Sequence, residues 1–120
     1  MRTETKVYDV KQRTYLYALD IIRFLDTLSR DYVTQTIGKQ LLRSATSIGA
    51  NVVEAKASSS KKDFANFYNH SLKSANETKF WLGLLHDSGK AASQHVKPLL
   101  DETAELSNIL ASSLLTMREK

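Results

Sequence analysis

The segment Gln40–Glu54, with the sequence QLLRSATSIGANVVE, limits the possible folds of this chain more than any other stretch. Its apolar residues recur every three or four positions, as on one face of a helix. The positions beside them are unusually small, namely Ser44, Ala45, Ser47, Gly49 and Ala50. Gly49 inside a helix costs about 1 kcal/mol relative to Ala, and close packing of a neighbouring helix is the compensation that we expect. The segment therefore predicts the most enclosed helix of an all-α bundle.

Hydrophobic periodicity predicts four helices, at about residues 7–28, 34–56, 61–88 and 93–117. One Pro and four Gly in 120 residues leave few helix breakers, which favours long helices over the many turns of a sandwich or barrel. The predicted connections are short, roughly four to seven residues, so consecutive helices must run antiparallel. The prediction is a single domain over residues 1–120, an all-α, antiparallel up-down-up-down four-helix bundle.

Two helix starts stay open at this stage. Asp31 and Thr34 are both good N-terminal capping residues for helix two, and the sequence does not choose between them. Helix four could begin near Ser93, which would place Pro98 in its second turn and bend it, or near Lys97, which would place Pro98 at the first helical position. We favour the early start with a bend.

The formal net charge of +4 comes wholly from residues 32–62, where five cations stand against a single acid, Glu54. The five are Lys39, Arg43, Lys56, Lys61 and Lys62. Such a bias is more often a solvated surface, but it is also the electrostatic footprint of a protein that binds an anionic partner. These five residues are therefore the candidate contacts to nucleic acid.

Composition limits the compartment and the chemistry. The chain has no Cys, which fits a reducing cytoplasm and leaves no thiolate metal site. No apolar run approaches the roughly 20 residues that span a bilayer, so we expect a soluble cytoplasmic protein with no membrane partner. The three histidines, His70, His86 and His95, lack the spacing that places two metal ligands on one helix face, and no Ser has a convincing His and acid as partners. We expect no catalysis, no metal and no cofactor.

Two further groups of residues are candidates for structural roles. A polar network could join helices two and three through Arg43, Ser47, Asn51, Glu54, Ser74 and Glu77, because the first four share one helix face. The alternative is that Arg43 and Glu54 simply reach solvent, and a ligand site is the least favoured interpretation. Helices one and three also carry more apolar surface than one internal core needs. The residues that we expect at an oligomer interface are Phe24, Phe67 and Trp81.

The opening segment also carries a family resemblance. The residues that match the family signature are Gln40, Arg43, Ser44, Ala45, Ser47, Ile48, Asn51 and Glu54, followed in helix three by Asp63-Phe64, Phe67-Tyr68, Ser74 and Glu77. With these residues in register, the chain resembles, over about residues 10–115, the four-helix-bundle family named for proteins encoded in 23S ribosomal RNA intervening sequences. It departs from the family pattern at Ala55, where a Gly is usual, and in the first connection, where SRDYV replaces a Phe-Pro pair.

The resemblance implies a closed homopentamer of bundles, and it does not imply catalysis. It also implies a distant similarity to the accessory protein of diversity-generating retroelements, a pentameric bundle that works with a reverse transcriptase and binds nucleic acid. The resulting hypothesis is a non-enzymatic homo-oligomeric scaffold that binds RNA or DNA, or a nucleic-acid-handling protein, with basic patches repeated around the ring. The alternative is a structural or protein-interaction module that binds no nucleic acid.

Overall fold

The computed structural model describes residues 8–118 and contains four α-helices within that range. They are α1 (Val10–Asp26), α2 (Tyr32–Ala57), α3 (Lys61–Asp87) and α4 (Ser93–Arg118). Helix α2 packs against α1 and α3, and α4 closes the ring by packing against α3 and α1. Short connections between consecutive neighbours make the bundle antiparallel, up-down-up-down. The all-α four-helix prediction is confirmed. Val7, where the first helix was predicted to begin, lies outside the described residues.

The helix ends follow from local hydrogen bonding. Asp31, not Thr34, caps α2: its side chain accepts from the Thr34 backbone N–H at 2.9 Å. At the end of α3, Gly89 has a φ of 78°, in the left-handed region, and its N–H donates to the His86 carbonyl at 3.0 Å. Helix α4 begins at Ser93 and includes Pro98 in its interior, as the early-start alternative expected.

Tight contact with α1 explains the glycine at the centre of α2. A Cβ placed on Gly49 would lie 3.0 Å from Thr14 Oγ1 and 3.2 Å from Thr14 Cβ. Thr14 is 1% exposed and comes from the core-facing side of α1. Because real Cβ atoms are rarely this close to a neighbour, a side chain at position 49 would force Thr14 to move by a few tenths of an ångström. The expectation of close packing at Gly49 is met by this contact.

Helix α2 has eight buried residues in the described range, more than any of the other three helices, but it is not enclosed on all sides. Each helix in a four-membered ring faces two neighbours and keeps an outer surface. On α2 that outer surface includes Ala50, which is exposed, whereas Leu41, Ile48 and Val52 are fully buried in the core. The small residues of the segment therefore serve two different purposes, since some face neighbouring helices and others face outward.

Candidate nucleic-acid interface

The predicted polar network exists in part, at the outer edge of the contact between α2 and α3. Arg43 forms an ion pair with Glu77 and also donates to Gln40 Oε1 at 3.0 and 3.2 Å. Trp81 Nε1 donates to Glu77 Oε2 at 2.9 Å. The hydrogen bond from Trp81 and then the Arg43 guanidinium hold the pKa of Glu77 below its usual range, although partial burial acts in the opposite direction. The cluster therefore ties two helices together and partly neutralises one predicted nucleic-acid contact.

Of the other four predicted members of the network, three bond within their own helices and the fourth makes no bond to a described residue. Ser47 donates to the Arg43 carbonyl and Asn51 donates to the Ser47 carbonyl, both along α2. Ser74 contributes its backbone carbonyl, which accepts from Thr78 at 2.8 Å. Glu54 is exposed and has no ion pair or hydrogen bond to any residue between 8 and 118.

Two buried hydrogen bonds between α2 and α3 were missed by sequence reasoning. The Ser44 and Thr78 hydroxyls are hydrogen-bonded to each other at 2.9 Å, and Ser71 donates to the Ile48 carbonyl at 2.8 Å. Ser44, Ser71 and Thr78 are fully buried, so water cannot replace these bonds. Small hydroxyl residues at core positions of the helix pattern are the signal that could have predicted them.

The predicted interface residues separate into two kinds. Phe67 and Trp81 are partly buried and pack at the edge of the core, where some of their surface stays available. Phe24 is only 6% exposed and belongs to the core of the bundle itself. The prediction that Phe24 offers surface to a second chain does not fit this position, because α1 turns that ring inward between its neighbours.

An exposed apolar groove runs along the outer side of α1 and α2. Tyr15 and Val53 line it near one end, with exposed fractions of 67% and 45%, and Gly49 and Ala50 leave room between them. Toward the other end, the same pair of helices forms a second hollow that includes Leu42. The apolar excess on α1 that the sequence indicated is therefore real, but it is presented by Tyr15 and its neighbours rather than by Phe24.

The five predicted basic residues do not form one patch. Lys39 and Lys56 are 17 residues apart on α2, which separates them by about 25 Å along the helix axis. Arg43 is paired with Glu77, and Lys56 Nζ lies 5.7 Å from the centre of the Phe64 ring, a cation–π distance. Each of these two cations therefore already has a partner within the bundle.

Lys39, Lys61 and Lys62 are the remaining three, and all are exposed. None of them forms an ion pair with a residue in the described range. Arg118, at the end of α4, lines the same groove as Lys61 and Lys62, and sequence reasoning missed it. Arg118 lies 56 positions after Lys62, so only the antiparallel return of α4 brings them together.

The turn between α3 and α4 contains hydrogen bonds in the order Ser–His–Asp. His86 Nε2 lies 2.6 Å from Ser93 Oγ, and His86 Nδ1 lies 2.9 Å from Asp87 Oδ1. The Asp87 side chain is 80% exposed, and none of these three residues lines a groove described above. We interpret the bonds as a connection between the end of α3 and the start of α4.

Neither a metal site nor a membrane span is found in the part of the chain that the structure describes. Residues 8–118 contain no group of three or more His, Asp or Glu side chains arranged to hold a metal ion. Over the same range, no helix is both long and apolar enough to cross a bilayer. The fold and its surfaces define a helical-bundle protein with buried polar ties, an exposed apolar groove and a group of unpaired cations.

The chain belongs to the 23S rRNA-intervening sequence protein family, whose model matches residues 6–112. A solved structure from Bacteroides thetaiotaomicron VPI-5482, of a protein with unknown function from the S23 ribosomal protein family, is 35% identical in sequence. The match covers 88% of this chain and 98% of that one, with a TM-score of 0.80. A comparison with curated proteins finds no match. The family resemblance in the sequence is confirmed, and neither description names a catalytic activity.

Proposed function

We propose that this protein is a non-enzymatic, homo-oligomeric scaffold that binds RNA or DNA by electrostatic attraction with little sequence preference. The observation that carries the proposal is the exposure of Lys39, Lys61 and Lys62 without ion-pair partners among the described residues. Cations that are not neutralised within their own subunit keep their full charge for an external anion. Binding in the cytoplasm is consistent with a chain that has no Cys to oxidise.

Assembly multiplies this small charge. One subunit offers too few cations, because strongly salt-dependent binding takes about 6–10 phosphate contacts. The pentamer implied by the family resemblance would present each exposed cation five times, which exceeds that requirement. The apolar groove between α1 and α2 supports self-association, since it exposes Tyr15 and Val53 over a floor of small residues. The partner that we propose for this groove is a second copy of the chain.

Two measurements test the proposal separately. Light scattering on the purified protein gives the oligomer size, and a monomer at micromolar concentration would contradict the scaffold. Fluorescence anisotropy with labelled RNA and DNA over a salt series gives the affinity, which we expect to fall steeply as salt rises. No binding at low salt would reject the nucleic-acid function and favour the alternative of a protein-interaction module.

A further inference from the structure

We infer that the sugar–phosphate backbone of RNA or DNA binds in the groove between the start of α3 and the end of α4. This inference rests on the proposed function and assigns it to one place, which we call the α3–α4 groove. Its cationic lining residues are Lys61, Lys62 and Arg118. Lys39 and the other cations of the basic segment lie outside it.

The three cations are available because the bundle does not use them. Lys61, Lys62 and Arg118 are exposed, and none makes an ion pair or hydrogen bond with any residue in 8–118. Arg43, by contrast, is committed to Glu77. A phosphate that approached Arg43 would have to compete with that carboxylate, whereas no carboxylate of the described residues is paired with the cations of the α3–α4 groove.

Among residues 8–118, no carboxylate lines the α3–α4 groove to repel a phosphate. The nearest acid on α3 is Asp63, which lies about 100° around the helix from Lys62 and about 200° from Lys61. The groove therefore has positive charge at its rim, and the closest negative charge on α3 lies outside its lining. This arrangement of charges favours the binding of a continuous polyanion.

The floor of the groove indicates how such a polyanion would be recognised. It consists of Ala65, Leu114 and Met117, and Asn69 is the one uncharged polar residue in the lining. Apolar side chains can pack against the carbon face of a sugar, but they cannot read the hydrogen-bonding edges of bases. The groove lining also includes no aromatic ring on which a base could stack. We therefore expect contacts to phosphate and sugar, the same for every sequence.

The number of cations sets the expected salt dependence. Each phosphate neutralised on duplex DNA contributes about 0.9 to the slope of log affinity against log salt, and about 0.7 on a single strand. For each subunit that binds, the three cations of its groove therefore contribute about 2.7 to this slope on a duplex and about 2.1 on a single strand.

The test compares two variants that lose the same charge. The groove variant carries Lys61→Gln, Lys62→Gln and Arg118→Gln, which remove the charges and keep much of the side-chain stems. The probes are a labelled 30-nucleotide oligo(U), a 30-nucleotide oligo(dT) and a duplex DNA of the same length. For the groove variant we expect affinity to fall more than about tenfold on every probe, with the salt slope lowered by about 2 or more.

The control variant carries Lys73→Gln, Lys79→Gln and Lys97→Gln, three lysines that lie outside the α3–α4 groove and that the proposed function does not use. We expect its affinity to fall less than threefold. Equal losses in the two variants, or no loss in the groove variant, would overturn the assignment to the groove and leave the proposed function standing. Absence of binding by the unaltered protein would overturn the proposed function itself. A loss on one probe alone would overturn the claim that only shared backbone chemistry is recognised.

Chemical footprinting of the unaltered protein tests the same site without relying on variants. Lysines are acetylated with and without bound oligo(dT), and protection is read at each position by mass spectrometry. We expect Lys61 and Lys62 to be protected by the oligonucleotide, while Lys73 and Lys97 stay reactive. Protection spread evenly over all four would contradict a defined groove.

Discussion

The contact between Gly49 and Thr14 gives the sharpest test of how the bundle is packed. Replacing Gly49 with Ala adds one methyl group to a helix interior, which by itself should stabilise α2 by about 1 kcal/mol. In this bundle the added Cβ would lie 3.0 Å from Thr14 Oγ1 and 3.2 Å from Thr14 Cβ. The substitution therefore sets local helix propensity against tertiary packing.

The magnitude follows from these two opposing effects. Forcing extra volume into a well-packed core costs about 1–3 kcal/mol. Thr14 cannot easily move aside, because it is 1% exposed and its hydroxyl already donates to the Lys11 carbonyl at 3.0 Å. Subtracting the propensity gain leaves a net destabilisation of Gly49→Ala of roughly 0–2 kcal/mol.

Gly83 is the matched control, since it also lies inside a helix but has nothing within 4 Å of an added Cβ. Gly83→Ala should therefore stabilise the protein by about 1 kcal/mol. The predicted difference between the two variants is about 1–3 kcal/mol, measurable by urea unfolding followed by circular dichroism. Combining Gly49→Ala with Thr14→Ala removes one of the two close atoms and should recover part of the loss. If Gly49→Ala proved as stabilising as Gly83→Ala, the reasoning from close helix approach would be refuted.

Two other predictions concern polar groups. Glu77→Gln should cost about 0.2–1 kcal/mol, because the ion pair is at the surface. The folded-state pKa of Glu77 is lowered, so its contribution to stability is present above the ordinary Glu pKa range and is lost as pH falls through the lowered pKa. Trp81 is the single Trp of the chain, and its fluorescence reports this acid transition. Glu77→Gln should lack the transition. An unchanged melting temperature and oligomer size in Glu77→Gln would show that the cluster is not structural. Tyr17→Phe should cost about 1 kcal/mol, because it removes a buried hydroxyl bonded to Thr103. Burial raises the pKa of Tyr17, so its contribution is constant below pH 10.0 and declines above it, and thermal melts at high pH should show a smaller decline in the variant.

Local patterns in the sequence were enough to predict most of the fold. Apolar spacing and capping residues act over three or four positions, and the resulting helices needed no knowledge of their partners. The close approach at Gly49 was also inferred from the sequence, because a glycine inside a helix has a known cost that some contact must offset. The partner in that contact, Thr14, could not be inferred, since it comes from another helix.

The candidate site was much harder to predict than the fold. A run of cations in sequence indicated one basic patch, but helix geometry separates Lys39 from Lys56 and pairs Arg43 with Glu77. The sequence placed Phe24 among the surplus apolar residues of helix one, but α1 is oriented about its own axis so that Phe24 faces the core. Each of these outcomes depends on how one helix is turned relative to another.

The sequence by itself determined the four helices, their antiparallel order and the family, because these depend on short-range periodicity and on a signature contained in two segments. Only the tertiary structure decided which surface residues meet. It placed Arg118 beside Lys61 and Lys62, and it used Glu77 to neutralise Arg43. The physical reason is that the spacing of residues along a helix specifies a face, whereas the contacts of that face depend on the packing of all four helices together.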